Sequence, residues 1–570
     1  MSERILEMDD SELRTIIASP QLAPEKEAHL KDRDFDRLRV RTSLFTKEYD
    51  RNLALLSIEP FFVDVRVTPP PVGSYLIEEY PLPTGAVVRI YEDPNQSAPV
   101  YHVALPEMTL NFTELKHLKH EFNQFQASGK TSNEYIKRWY QAFGILEHLL
   151  FDEKVLEINI NPPAYKTPIR IVHSTHEECT SNIYPSPEML EYLSTHLKIT
   201  TGRPLNRAQT QLDGEIIIED QRARVAAIIE PFSIFGTGFS IRKHRAKPWT
   251  VPLLMERRSV NSWFAGFMSF VITHGRSFLT AGPRGSGKTS LLGSLLVEIL
   301  PKYRIITIED TQELPVRYLK DIGYDLLPLK VRSALLEEGL EMPFDRGLRT
   351  SLRLGDSALI IGEIRSTEAV VLYEAMRVGA MSNVVAGTIH ADTPYGVYDR
   401  VVNDLNVSPG SFKVTDLIII QKLIKDSSGL SRIRRVVSVT EVKKRWAGDE
   451  PEFTDLLLYD PKTDELVPTQ ALLRGGSETI RQIMANTTGY ESYRAALTDI
   501  SLRGWAKGLH VSLSKNDDRL MEADVVSRAN LLYSRLSARE RPLASEQHLT
   551  SFKESYAEGL ADLLKTIEKR

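Results

Sequence analysis

Residues Gly282 to Thr289 read GPRGSGKT, and their setting decides the fold. A short apolar run, Ser277–Ala281, precedes them, and a helix-forming run from Thr289 to about Leu300 follows. Strand, glycine-rich turn and helix in that order make a phosphate-binding loop. Glycines at 282, 285 and 287 let backbone N–H groups converge on an anion. Lys288 reaches the β- and γ-phosphates, the Thr289 hydroxyl suits a magnesium ion, and the helix N-terminus adds a positive dipole end. The residues expected to hold ATP are therefore Gly282, Pro283, Arg284, Gly285, Ser286, Gly287, Lys288, Thr289 and Ser290, with Thr289 as a Mg2+ ligand.

Working outward, Arg304–Ile308, Ser357–Ile361 and Asn383–Thr388 read as strands and Thr367–Val378 as a helix. This alternation predicts an α/β unit with a parallel, doubly wound sheet, whose ligand crevice lies at the carboxyl ends of the strands. Three segments carry polar residues to that edge. IITIEDTQELP (305–315) brings Glu309, Asp310 and Glu313; its plain alternative is a solvated acidic turn. SALIIGEIR (357–365) brings Glu363, suited to orienting or activating water, while Gly362 stands where a usual Walker B pattern has an acid. VVAGTIH (384–390) brings Thr388 and His390, placed to sense a γ-phosphate. Hydrolysis needs such groups because the loop alone only binds. A surface glutamate and a structural histidine are the alternatives for the last two segments.

The remaining chain divides by composition. A proline cluster at Pro69–Pro71 follows a charged start, and SYLIEEY, AVVRIY and PVYHVAL read as short strands, with Leu110–Gln126 helical and QASGKTSNE a linker. Tyr135–Phe151 has helical spacing; KVLEININ and Ile169–Val172 alternate as strands; Pro187–Thr201 reads as a helix; Glu215–Ile218, Arg224–Ile229 and Gly238–Arg242 as strands. Pro248 and Pro252 mark a break. The expected organisation is a variable region 1–130, a smaller α+β (PAS-like) domain 131–248, a motor domain 249–430, and a hairpin with a helical extension over 431–570.

Bulk properties narrow the function classes. A net charge of −5 offers no dominant nucleic-acid footprint. The single cysteine, Cys179, excludes an intrachain disulfide and a CxxC zinc site. The charged N-terminus lacks the apolar core of a secretory signal, and no run reaches the ~18 apolar residues of a membrane span. The longest apolar runs, Trp263–Val271 and Leu417–Ile424, are short. A cytoplasmic protein able to dock on a membrane partner is expected.

The four motifs occur in the order GPRGSGKT, ITIEDTQELP, LIIGEIRSTEA, AGTIHADTP, and this series resembles the secretion ATPase superfamily, which powers type II and type IV secretion, type IV pili and the archaeal flagellum. That family's Walker B signature has Gly-Glu, as at Gly362–Glu363. SIRK (240–243) resembles its short strand just before the linker to the motor domain, Asp213–Gly214 and Arg222–Val225 resemble the hairpin before that, and the longer segments around 362–405 look most like archaeal members. The resemblance covers 135–425 and implies a RecA-like motor domain and a homohexamer. It also implies ATP and Mg2+ held between the N-terminal and motor domains, with closure near residue 250. The implied roles are Glu363 as catalytic base or water-positioner, Glu309 or Glu313 supporting magnesium and His390 sensing the γ-phosphate. Arg224 and Arg242 would neutralise charge, with Arg222 a further candidate. A multi-span membrane platform protein and pilin-like subunits are the implied partners; neither zinc nor nucleic acid is. A VirB11-like conjugation ATPase, a RecA-like nucleic-acid motor and a nucleotide-dependent scaffold are the competing readings.

Overall fold

The computed structural model describes residues 65–568, apart from 220, 246, 332–341, 356, 367, 378–383, 426–431, 449, 516 and 540–545. The charged start of the chain, residues 1–60, lies outside the described residues. The chain forms two compact units, one ending at His244 and the other beginning at Arg245.

Among the described residues, the first unit holds a nine-stranded sheet. Its strands are β1 (Tyr75–Pro81), β2 (Val87–Glu92), β3 (Val100–Ala104), β4 (Val155–Ile160), β5 (Arg170–His173), β6 (Glu177–Ser181), β7 (Gln211–Ile218), β8 (Gln221–Ile228) and β9 (Gly238–His244). The order is β1-β2-β3-β6-β5-β4-β9-β8-β7, antiparallel except where β3 meets β6. Strands from both sides of residue 130 thus share one sheet. The stretch expected as a linker begins as the end of α1 (Phe112–Ser128), which Gly129 closes in the left-handed conformation. Helix α2 (Pro187–Thr201) starts where the Ser186 side chain accepts from the Met189 N–H, with Pro187 at its first position, and ends at Gly202. The expected single helix over Tyr135–Phe151 is broken instead. Gly144 takes φ 58°, and the Trp139 ring packs 3.2 Å from where a Cβ there would sit, so the chain turns before Ile145–Phe151 resumes the helix.

The second unit carries β10 (Phe278–Ala281), β11 (Ile305–Glu309), β12 (Leu326–Lys330), β13 (Ala358–Ile361), β14 (Val385–Ile389) and β15 (Leu417–Lys425). They run parallel in the order β12-β11-β13-β14-β10-β15. The core strands are buried on both faces, as their unbroken apolar sequences require. Three antiparallel strands extend this sheet: β16 (Arg432–Val442), β17 (Phe453–Asp460) and β18 (Glu465–Pro468). Residue 430 therefore lies between paired strands of one sheet. The apolar runs noted in the sequence become the buried helix α3 (Ser262–Thr273) and strand β15. Helix α4 (Lys288–Leu296) follows the phosphate loop and α5 (Glu368–Arg377) follows β13.

The tail forms α6 (Tyr493–Leu513), α7 (Ala523–Arg539) and α8 (Glu546–Glu568). Helix α6 crosses α3 at backbone contact: a Cβ on Gly266 would lie 2.0 Å from the Ile500 carbonyl oxygen, and one on Gly504 would lie 2.3 Å from that of Ser262. The helical tail is thereby built into the core of this unit. Among the described residues no helix is long and apolar enough to cross a membrane.

Candidate active site

Parallel strands place all their carboxyl ends on one edge, and the motifs meet there. β10 delivers the 282–289 loop into the N-terminus of α4. The loop's tightness depends on Gly282: a Cβ there would stand 2.1 Å from the Gln421 carbonyl oxygen of β15 and 2.7 Å from the Ser286 hydroxyl oxygen. Gly287, at φ 95°, caps α4 in a backbone conformation that glycine alone adopts cheaply. Arg284 and Gly285 are exposed, Pro283 and Ser290 half-buried, and Ser286 buried.

Lys288 is 8% exposed. Its Nζ donates to the Pro283 carbonyl oxygen at 3.0 Å and lies 3.3 Å from His390 Nδ1. His390 Nε2 lies 3.0 Å from Glu363 Oε1. The other Glu363 oxygen accepts from Arg365, whose second terminal nitrogen donates to Asp310 Oδ2 at 2.6 Å. Phosphate loop, histidine motif, glutamate motif and acidic motif are thus joined in one polar chain. Burial pushes the Glu363 carboxyl up, but Arg365, His390 and Lys288 outweigh it, so it settles below the usual carboxylate value and stays ionised. Burial, then Lys288, hold His390 below an ordinary histidine, which favours the neutral ring. Thr388 takes no part in this chain, because its hydroxyl donates to the Gly362 carbonyl at 2.6 Å.

Glu309 and Glu313 divide their work. Thr289 Oγ1 donates to Glu313 Oε2 at 2.9 Å, so hydroxyl and carboxylate stand side by side. Glu309 is only 2% exposed; its Oε1 accepts from the backbone N–H groups of Glu313 and Leu314, each at 2.9 Å. Burial pushes its carboxyl up to about 7 despite those bonds. Glu309 therefore folds the 309–314 turn that presents Glu313. It also accounts for Gly362, since a Cβ at 362 would lie 2.8 Å from Glu309 Cγ. The volume an acid at 362 would fill is taken by the glutamate of the neighbouring strand.

The oxygen pair of Thr289 and Glu313 fits a hard cation such as Mg2+. No group of three or more His, Cys, Asp or Glu side chains able to hold a metal occurs among the described residues.

Arg224 and Arg242 lie in the first unit. They stand directly opposite each other on β8 and β9, inside a cross-strand row Glu157–Arg242–Arg224–Glu215. Arg242 Nε donates to Glu157 Oε1 at 2.6 Å, Arg224 pairs with Asp213 at 3.8 Å, and Arg222 pairs with Glu215 at 2.9 Å. Two like charges opposed on one face are tolerated because the flanking carboxylates neutralise them.

Three residues at the edge of the second unit escaped the sequence reading. Arg365 links two acidic motifs. Gln421 backs Gly282, and Arg434 of β16 donates from Nε to the Gly285 carbonyl at 3.0 Å. Arg365 lies two residues after Glu363, a proximity that marks it; no local signal marks Arg434, whose partner Gly285 is distant in sequence.

A family described as "Type II/IV secretion system protein" matches residues 152–471. A putative conjugal transfer protein of Mycobacterium tuberculosis is 30% identical over 37% of this chain and 58% of its own length. An uncharacterized protein of Methanocaldococcus jannaschii is 27% identical over 65% of this chain and 64% of its own. The chain therefore spans less than two thirds of the length of these curated relatives. Among solved structures, the pilus retraction motor PilT with bound ADP aligns at 14% identity and TM-score 0.39, over 72% of this chain and 96% of that one.

Proposed function

This chain belongs to the type II/IV secretion system protein family, and from that premise we propose that it is an ATPase motor. The observation that carries the reading is the continuous chain Lys288–His390–Glu363–Arg365–Asp310 along the carboxyl edge. It supports a phosphate site with a water-positioning carboxylate beside it. The amides of residues 285–289 and Lys288 bind the phosphates, with Lys288 exchanging the Pro283 carbonyl for phosphate oxygens. Thr289 and Glu313 would hold Mg2+, which when bound supplies charge neutralisation at the phosphates. Glu363, ionised, orients the attacking water and accepts its proton. His390, neutral and between Lys288 and Glu363, senses whether a γ-phosphate is present. Arg224 and Arg242 serve as cationic partners of the phosphates in the assembled protein.

At the finer level, we infer a hexamer at the cytoplasmic face of the membrane, acting with a multi-span platform protein to move pilin-like subunits. The conjugal transfer relative supports a second reading, a conjugation ATPase. Glu363→Gln tests the core of the proposal. It should keep ATP affinity and lower phosphate release by roughly 10³-fold or more, the scale at which phosphoryl transfer depends on a single positioned group. Lys288→Ala should weaken ATP binding itself. Normal turnover in folded Glu363→Gln protein would sink the assignment.

A further inference from the structure

Resting on that ATPase reading, we propose that the C-terminal helices control nucleotide affinity by gripping the far end of the phosphate-loop helix through the buried pair Glu298–Lys507. Helix α4 begins at Lys288, in the site, and ends at Leu296, just before Val297 and Glu298. From Lys288 to Leu296 the helix rises about 12 Å at ~1.5 Å per residue, and Glu298 sits in the turn that closes it. Glu298 is 3% exposed, and its Oε1 accepts from Lys507 Nζ of α6 at 2.6 Å. Its Oε2 has no hydrogen-bond partner among the described residues, so Lys507 is the compensation this carboxylate has. Lys507 is itself 3% exposed. Asn530 of α7 adds a second hold, donating from Nδ2 to the Val297 carbonyl at 3.0 Å.

The gripping element is fixed in turn. Backbone contact at Gly266 and Gly504 locks α6 against α3. Arg503 NH1 donates to Thr273 Oγ1 at 3.0 Å, while Asp499 accepts from Arg503 Nε at 3.3 Å. A ligand that draws α4 toward the phosphates must move Glu298 against Lys507. A buried pair resists separation, because Glu298 left alone lacks both partner and water, while Lys507 keeps only its bond to the Asn530 side-chain oxygen. Whatever loosens or tightens the tail therefore changes the cost of binding nucleotide, and by linkage nucleotide changes the stability of the tail.

The test uses the full chain and ADP with Mg2+. Glu298→Gln, Lys507→Met and the double variant are titrated by calorimetry beside Phe552→Leu, which loosens the α8 packing without removing either charge. Each single variant should shift the ADP Kd by about fivefold or more, the double variant by less than the product of the two, and Phe552→Leu by less than about twofold. Hydrogen exchange across Arg503–Asn530 should slow when ADP is bound. Folded Glu298→Gln and Lys507→Met proteins that bind ADP like the wild type would overturn the proposal and leave the ATPase reading standing. A Phe552→Leu shift as large as theirs would overturn it as well, by reducing the effect to general stability. Wild-type protein that bound no ADP would instead break the ATPase reading, and this inference with it.

Discussion

The sheet of residues 75–244 carries its arginines in the middle of a face, whereas the sheet of residues 278–468 carries its polar residues at strand ends. In the first, strand pairing sets Arg224 against Arg242 and supplies Glu157 and Glu215 in the same row. Arg242 is neutralised by Glu157 and Arg224 by Asp213, while Glu215 pairs with Arg222. In the second, parallel strands empty onto one edge, where Lys288, Glu309, Glu363 and His390 converge although each comes from a different segment. An antiparallel face can present cations ready for an anion; a parallel edge can assemble a reaction site from distant motifs. That contrast can be broken at several points.

The widest test removes the arginine face. Arg224→Ala with Arg242→Ala should lower turnover by roughly 10³-fold, the scale known for arginines that neutralise phosphoryl charge. The melting temperature should hardly change, since exposed ion pairs are worth about 0–1 kcal/mol each. Phosphate release and a thermal melt on the same preparation decide it. Unchanged turnover would make the row a structural feature and erase the functional half of the comparison.

Much of the second unit was legible because its signals are local. A glycine-rich turn between an apolar strand and a helix, or an acid at the end of an apolar strand, shows itself within ten residues or so. Leu326–Lys330 was missed as a strand because Pro328 interrupts it, and the structure places it at the sheet edge, where proline is tolerated. The roles of Gly362, Arg434 and Glu298 were not legible. Each depends on a partner brought close only by the tertiary fold: Glu309, Gly285 and Lys507 respectively. In the first unit the strands of residues 75–104 were readable, but their membership of the same sheet as β4–β9 was not, because pairing between distant strands leaves no local trace.

A sharper test bears on the parallel edge alone. Gly362→Asp would restore the usual acid, yet its Cβ would meet Glu309 Cγ at 2.8 Å. Displacing Glu309 releases the turn that sets Glu313 against Thr289. Turnover should fall by roughly 10²-fold, as when one positioned polar contact is lost from a reaction site. Equal or faster turnover would mean that the space at 362 is a vacancy, with Glu309 not its occupant.

The smallest effect separates a buried folding carboxylate from an exposed one. Glu309 titrates near 7 in the fold against an ordinary 4.5, so between those values the folded state holds more protons than the unfolded. Stability from this residue is therefore greatest below about pH 4.5 and is lost as pH rises through 7. At about 1.4 kcal/mol per pH unit the whole change comes to ~3.5 kcal/mol, of which roughly 2–3 kcal/mol falls between pH 5 and pH 8. Glu309→Gln keeps an oxygen for the Glu313 and Leu314 N–H groups and carries no charge to bury. Urea unfolding at pH 5 and pH 8 should show the wild type losing this increment relative to the variant at the higher pH. A Glu309→Gln protein with the wild-type pH dependence would mean that the carboxylate is already ionised in the fold, and that the turn tolerates its charge as readily as the arginine row tolerates its own.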